Sequence, residues 1–205
     1  TKNKWIYLLA FLFCIFMQPI QAEGNFVESD LFGSMQTGDK AALLVVHFGT
    51  THDDTRALTI DAVNKKMTET FPGLEVREAW TSRIIAFRLK TRGIYKSNPE
   101  EALARLKADG YTHVLIQSSN IIEGIEMESL RKDVATHEKD FKEIRIGTPL
   151  LFTPEDYEAV IAAITPNGIR DGAVLLVGHG TYTPTTAQYA MMDYMLKAKG
   201  FDNYI

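Results

Sequence analysis

Residues 41–46, AALLVV, carry no polar side chain, and the run closes on His47-Phe48-Gly49. Successive side chains of a strand point to opposite faces, so a run that is apolar throughout has to bury both faces. That is the mark of a central strand in a parallel sheet covered by helices on each side. A strand of that kind calls for βαβ crossovers in the residues that follow.

The rest of the chain supplies them. Asp53 and Asp54 open a helix predicted through residue 70. A Pro72-Gly73 turn leads into a strand over 72–82, and SRIIAFRLKTRG (82–93) reads as a helix closed by Gly93. In NPEEALARLKADGY (98–111), Asn98 stands at the cap, Pro99 at the first helical position and Gly110 past the end, the expected asymmetry of a helix. Strands are predicted over 112–119, 142–151 and 171–180, with helices over 126–139, 153–164 and 185–200. Strand and helix alternate throughout. The reading is an α/β protein of two domains with parallel sheets flanked by helices. The first domain covers 41–165. The second starts within 166–205 and is incomplete, with the break at TPNGIRDG (165–172).

The amino-terminal residues belong to neither. Lys2 and Lys4 precede a short apolar run, and Pro19 and Ala22 follow it, the pattern of a secretory signal peptide over 1–22. The run is short for a bilayer span of about 20 residues, so no stable membrane anchor is expected. Cys14 is the single cysteine and would leave with the leader, so the exported product has no disulfide, thiolate metal site or thiol nucleophile. A periplasmic location follows. Residues 23–40 read as a linker.

In open parallel sheets ligands sit beyond the carboxyl ends of the strands. Four such ends carry polar or glycine-rich loops: Phe48-Gly49-Thr50-Thr51, Trp80-Thr81-Ser82-Arg83, Ser119-Asn120 onward, and Gly178-His179-Gly180-Thr181-Tyr182. They are expected to converge on one cleft. FGTTHDD has neither a G-x-G-x-x-G spacing nor a Walker lysine, so no nucleotide is expected. There is no G-x-S-x-G elbow and no H-E-x-x-H pair. The balance of 22 basic against 26 acidic residues gives no polybasic footprint for nucleic acid.

His179 is the residue most suited to chemistry. It ends an apolar run between two glycines, and imidazole is both a metal ligand and a base titrating near neutrality. His47 lies inside a strand and is expected to be buried and hydrogen-bonded; His113 is expected to be structural, and His52 and His137 solvated. Glu126, after Gly124, either brings a carboxylate to the cleft or complements a helix amino terminus. Trp80, Tyr182 and Phe48 could wall a flat ligand.

ALLVVHFGTTHDDTR, WTSRIIAFRLK, VLIQSSNIIEGIEMESL and LLVGHGTYTPTTAQYAMM, in this order and spacing, together resemble the anaerobic cobalt chelatase family. These are sirohydrochlorin cobaltochelatases within the ferrochelatase-like class II chelatases. The resemblance implies two similar α/β domains with a tetrapyrrole cleft between them. It implies insertion of Co(2+) into sirohydrochlorin without ATP, as in anaerobic cobalamin biosynthesis. His179 would be the metal ligand and proton acceptor, with Glu126 the candidate carboxylate. The four loops would grip the macrocycle, Arg83 pairing its acidic groups or staying at the surface. Further site residues of the family fall after the position of Ile205. The implied partners are a tetrapyrrole and a divalent metal, with a homo-oligomer left open. Two departures stand out: Thr183 occupies the place of a second loop histidine, and Ser118-Ser119-Asn120 replaces a Pro-Thr-His stretch. Rival readings are a periplasmic haem- or metal-binding protein of an uptake system, and removal of Fe(2+) from haem.

Overall fold

A computed structural model describes residues 30–165 and 172–205. The leader expected over 1–22 and the greater part of the domain break lie outside the described residues, as does 23–29 of the linker. Strands β1 (Ala41–His47), β2 (Glu75–Trp80), β3 (His113–Ser118) and β4 (Glu143–Ile146) form one sheet in the order β2-β1-β3-β4, with every pairing parallel. The parallel α/β reading is borne out. The helices are α1 (Asp53–Leu58), α2 (Ile60–Thr70), α3 (Arg83–Lys90), α4 (Pro99–Ala108), α5 (Ile125–Ala135), α6 (Pro154–Ile164) and α7 (Ala187–Ala198).

β1 is central, as its composition demanded: Ala42 to His47 are all buried. Its alternation divides the core. Ala42, Leu44 and Val46 face α4 and α5, packing with Leu103, Leu106, Met127 and Leu130. On the other face a smaller cluster joins Ile60, Trp80 and Leu89. The chain leaves β1 for β2 on one side and later reaches β3 on the other. The β1/β3 boundary is therefore the topological switch point, where open α/β sheets leave a crevice at the strand carboxyl ends.

Two elements differ from expectation. The helix predicted over 54–70 is two helices, α1 and α2, meeting at Thr59. The Thr59 hydroxyl bonds back to the Thr55 carbonyl at 2.7 Å, a competition that bends helices. Over 172–180, the described part of the strand predicted over 171–180, no strand forms beyond one bridge. Among the described residues Val174 makes one parallel bridge, to Tyr204, and Leu175 and Val177 are 72% and 86% exposed. The bridge is flanked by backbone hydrogen bonds from Val174 N to the Asn203 carbonyl and from Leu176 N to the Ile205 carbonyl. A third cluster of Ile161, Leu196 and Tyr204 packs α6 against α7. Among the described residues no helix is long and apolar enough to cross a membrane.

Candidate tetrapyrrole and metal site

A cavity of about 370 Å³ opens at the switch point. Phe48, the residue after β1, and Asn120, two after β3, lie on its floor side. Ile121, Ile122 and Gly124 continue the wall into α5, which contributes Ile125 and Glu126 from its first turn. The opposite wall is His179, Gly180, Thr181 and Tyr182, backed by Tyr189 of α7. His179 is exposed. An imidazole and a carboxylate thus share one apolar hollow with two tyrosine rings and a phenylalanine.

Local sequence explains the placement. Gly178 is needed because a Cβ there would stand 2.6 Å from the Tyr189 ring; the backbone has to come that close for His179 to turn into the cavity. Gly180 has φ +79°, a left-handed conformation that side chains disfavour, and it reverses the chain after the histidine. Thr183 shares hydrogen bonds with the hydroxyls of Thr181 and Thr185 and precedes a short 3-10 turn, Pro184–Thr186. Thr183 is thus part of a threonine chain that stiffens the loop. Gln188 of α7 accepts from Glu123 N at 3.0 Å and donates to the Leu151 carbonyl at 2.7 Å, tying this arm to the loops after β3 and β4. Glu123 is itself engaged by Arg131 at 2.8 and 3.1 Å.

The structure brings together Phe48, Asn120, Glu126, His179, Gly180, Thr181 and Tyr182, and separates other expected residues from them. Trp80 is corrected to the core. Its ring is fully buried against the Gly49 backbone, and its Nε1 donates to Glu78 at 3.3 Å, so it walls no cleft. Thr81 and Arg83 line a neighbouring cavity of about 490 Å³ with Asn98, Glu100, Ser129 and Asp133; Ile125 and Glu126 form the partition between the two. Burial, then the charge of Glu100, raises the Asp133 carboxyl, while Arg83 opposes. Ser82 is spent as the α3 cap, accepting from Ile85 N. Gly49, Thr50, Thr51 and Gly178 support the walls from behind or flank them; Ser119 lies beside Asn120 and binds His47. His47 and His113 are buried and hydrogen-bonded as expected, and His52 is exposed. His137 is corrected: it is largely covered and pairs with Asp140 at 2.9 Å. Sequence reasoning missed Ile121, Ile122, Ile125 and Tyr189. The isoleucines stood in a loop already singled out, whereas Tyr189 reads as one more helix residue and its contact with Gly178 leaves no local signal.

Among the described residues no group of three His, Cys, Asp or Glu side chains is placed to hold a metal ion. Among the described residues His179 and Glu126 are the candidate donors that line this cavity.

A family model described as cobalt chelatase (CbiK) matches residues 41–205. The sirohydrochlorin cobaltochelatase of Salmonella typhimurium is 36% identical over 166 residues, which is 79% of this chain and 63% of that protein. The sirohydrochlorin cobaltochelatase CbiKC of Nitratidesulfovibrio vulgaris is 33% identical over 169 residues, 77% of this chain and 58% of that protein. The matches thus span less than two thirds of the length of these curated relatives. With a family match that runs from the first strand to Ile205, over the same parallel sheet and cavity, this chain belongs to the cobalt chelatase (CbiK) family.

Proposed function

We propose that this chain carries the metal-handling half of a sirohydrochlorin cobaltochelatase acting in cobalamin biosynthesis. The observation that carries the reading is the meeting of His179 and Glu126 in one apolar, aromatic-walled cavity at the switch point. The names of the two relatives support Co(2+) as substrate metal and sirohydrochlorin as its acceptor.

The chemistry follows from the residues. Metal entry requires two pyrrole N–H protons to leave. A neutral imidazole binds a divalent cation through a ring nitrogen and, once the metal moves on, can take a proton. Glu126 lies in the α5 first turn, where its carboxylate can steady a cation or accept the second proton. Phe48, Tyr182 and Tyr189 present apolar faces to a flat ring.

Sirohydrochlorin and Co(2+) mixed with the protein are expected to give a cobalt-dependent change in macrocycle absorbance. His179→Ala is expected to lower its rate at least a hundredfold and Glu126→Gln at least tenfold. A wild-type rate equal to the protein-free rate, with retained binding of sirohydrochlorin or haem, would replace insertion by binding without turnover. The second reading draws on Thr183, which stands where the sequence resemblance implies a second loop histidine. We place the protein in the periplasm from the leader-like pattern of residues 1–22; cell fractionation with the leader intact and deleted tests that placement.

A further inference from the structure

Below the cavity floor, the ends of β1 and β3 are joined by a chain of side-chain hydrogen bonds whose direction can be worked out. The Glu78 carboxylate can only accept. It takes the Lys96 ammonium on one oxygen and the Asn64 amide nitrogen on the other, the latter at 2.9 Å. With its NH₂ turned to Glu78, Asn64 presents its carbonyl oxygen to His47 Nε2, also at 2.9 Å. A carbonyl cannot donate, so Nε2 carries the proton. Burial pushes the His47 ring below its ordinary pKa of 6.5 against the opposing bond from Asn64, with Glu78, Lys96 and Asp61 the charges around it. A neutral imidazole has one N–H. Nδ1 is therefore bare and accepts from the Ser119 hydroxyl at 2.9 Å. Ser119 is exposed; its one proton points inward, leaving only oxygen lone pairs outward.

The position of this chain gives it a role. His47 precedes Phe48 and Ser119 precedes Asn120, and both of these neighbours line the cavity. β1 and β3 are adjacent strands that meet at the switch point. We propose that His47 is a positioning residue for the cavity: locked in its Nε2–H form, it pins Ser119 so that Phe48 and Asn120, the neighbours that line the cavity, keep their places. The inference rests on reading the cavity as a tetrapyrrole site, and its test separates the two.

Titration with sirohydrochlorin, followed by its own absorbance, measures affinity. Ser119→Ala, which removes an exposed hydroxyl and leaves the core intact, is expected to weaken binding about fivefold, the scale of one hydrogen bond. His47→Phe is expected to do the same. The double variant should be no weaker than the weaker single, because both changes remove one pin. Ser119→Thr keeps the hydroxyl and should restore binding. Ring nitrogen NMR of His47 should show the Nε2–H tautomer. Unchanged affinity in Ser119→Ala, no rescue by threonine, fully additive losses or an Nδ1–H ring would each overturn the proposal. Wild-type protein that takes up no sirohydrochlorin would sink the tetrapyrrole reading instead, and the tautomer would then judge the lock alone.

Discussion

Gly49 shows how tightly single residues are fixed around the site. Its φ is +102°, and a Cβ there would lie 2.4 Å from the Trp80 ring. Gly49→Ala combines left-handed strain with overpacking of a buried indole, and is expected to destabilise the fold by about 2–4 kcal/mol, read as a lowered denaturant midpoint. His179 was legible at this scale because glycines on both sides of an imidazole free it from neighbouring side chains. Trp80 misled for the opposite reason. An aromatic at a strand end looks the same in sequence whether it faces a cleft or closes the core, and only Gly49 beneath it decides. The partner of Ser119 was equally hidden, since His47 lies 72 residues away and meets it only through strand pairing.

Among the elements, α4 shows local rules deciding a boundary. Asn98 accepts from Glu101 N at 2.8 Å, the Glu101 carboxylate returns to Asn98 N at 3.1 Å, and Pro99 fills the first turn. Asn98→Ala is expected to lower stability by about 1 kcal/mol, measured by chemical unfolding. Such caps are written within four residues, which is why α4 and α6, each with a capping box, read well. The segment at 174–180 could not be read this way: apolar composition states a wish for a partner, and the partner is set by topology.

The whole molecule responds to acid through its buried polar chain. His47 stays neutral when folded but takes a proton once unfolded, so the unfolded chain binds more protons as pH falls below 6.5, and stability falls with it. Glu78 is the complementary case. Burial alone would raise its pKa, yet Lys96, Trp80 and Asn64 together hold it below the ordinary carboxylate range. Its contribution is present above that range and is lost as pH falls through the lowered folded value. Thermal melting between pH 7 and 5 is expected to show a steady decline in wild type that His47→Phe flattens. The parallel sheet and the cleft at its edge were legible in the order of apolar runs. The division into two hollows was not, because the partition is a single helix turn whose side chains face both ways.

Gln188 gives the architecture one more property. A single amide grips the backbones of two separate loops while its own helix carries the tyrosine behind the imidazole arm. A guest wedged between arm and sheet would strain both grips together, so the entrance yields as one hinge and not strand by strand.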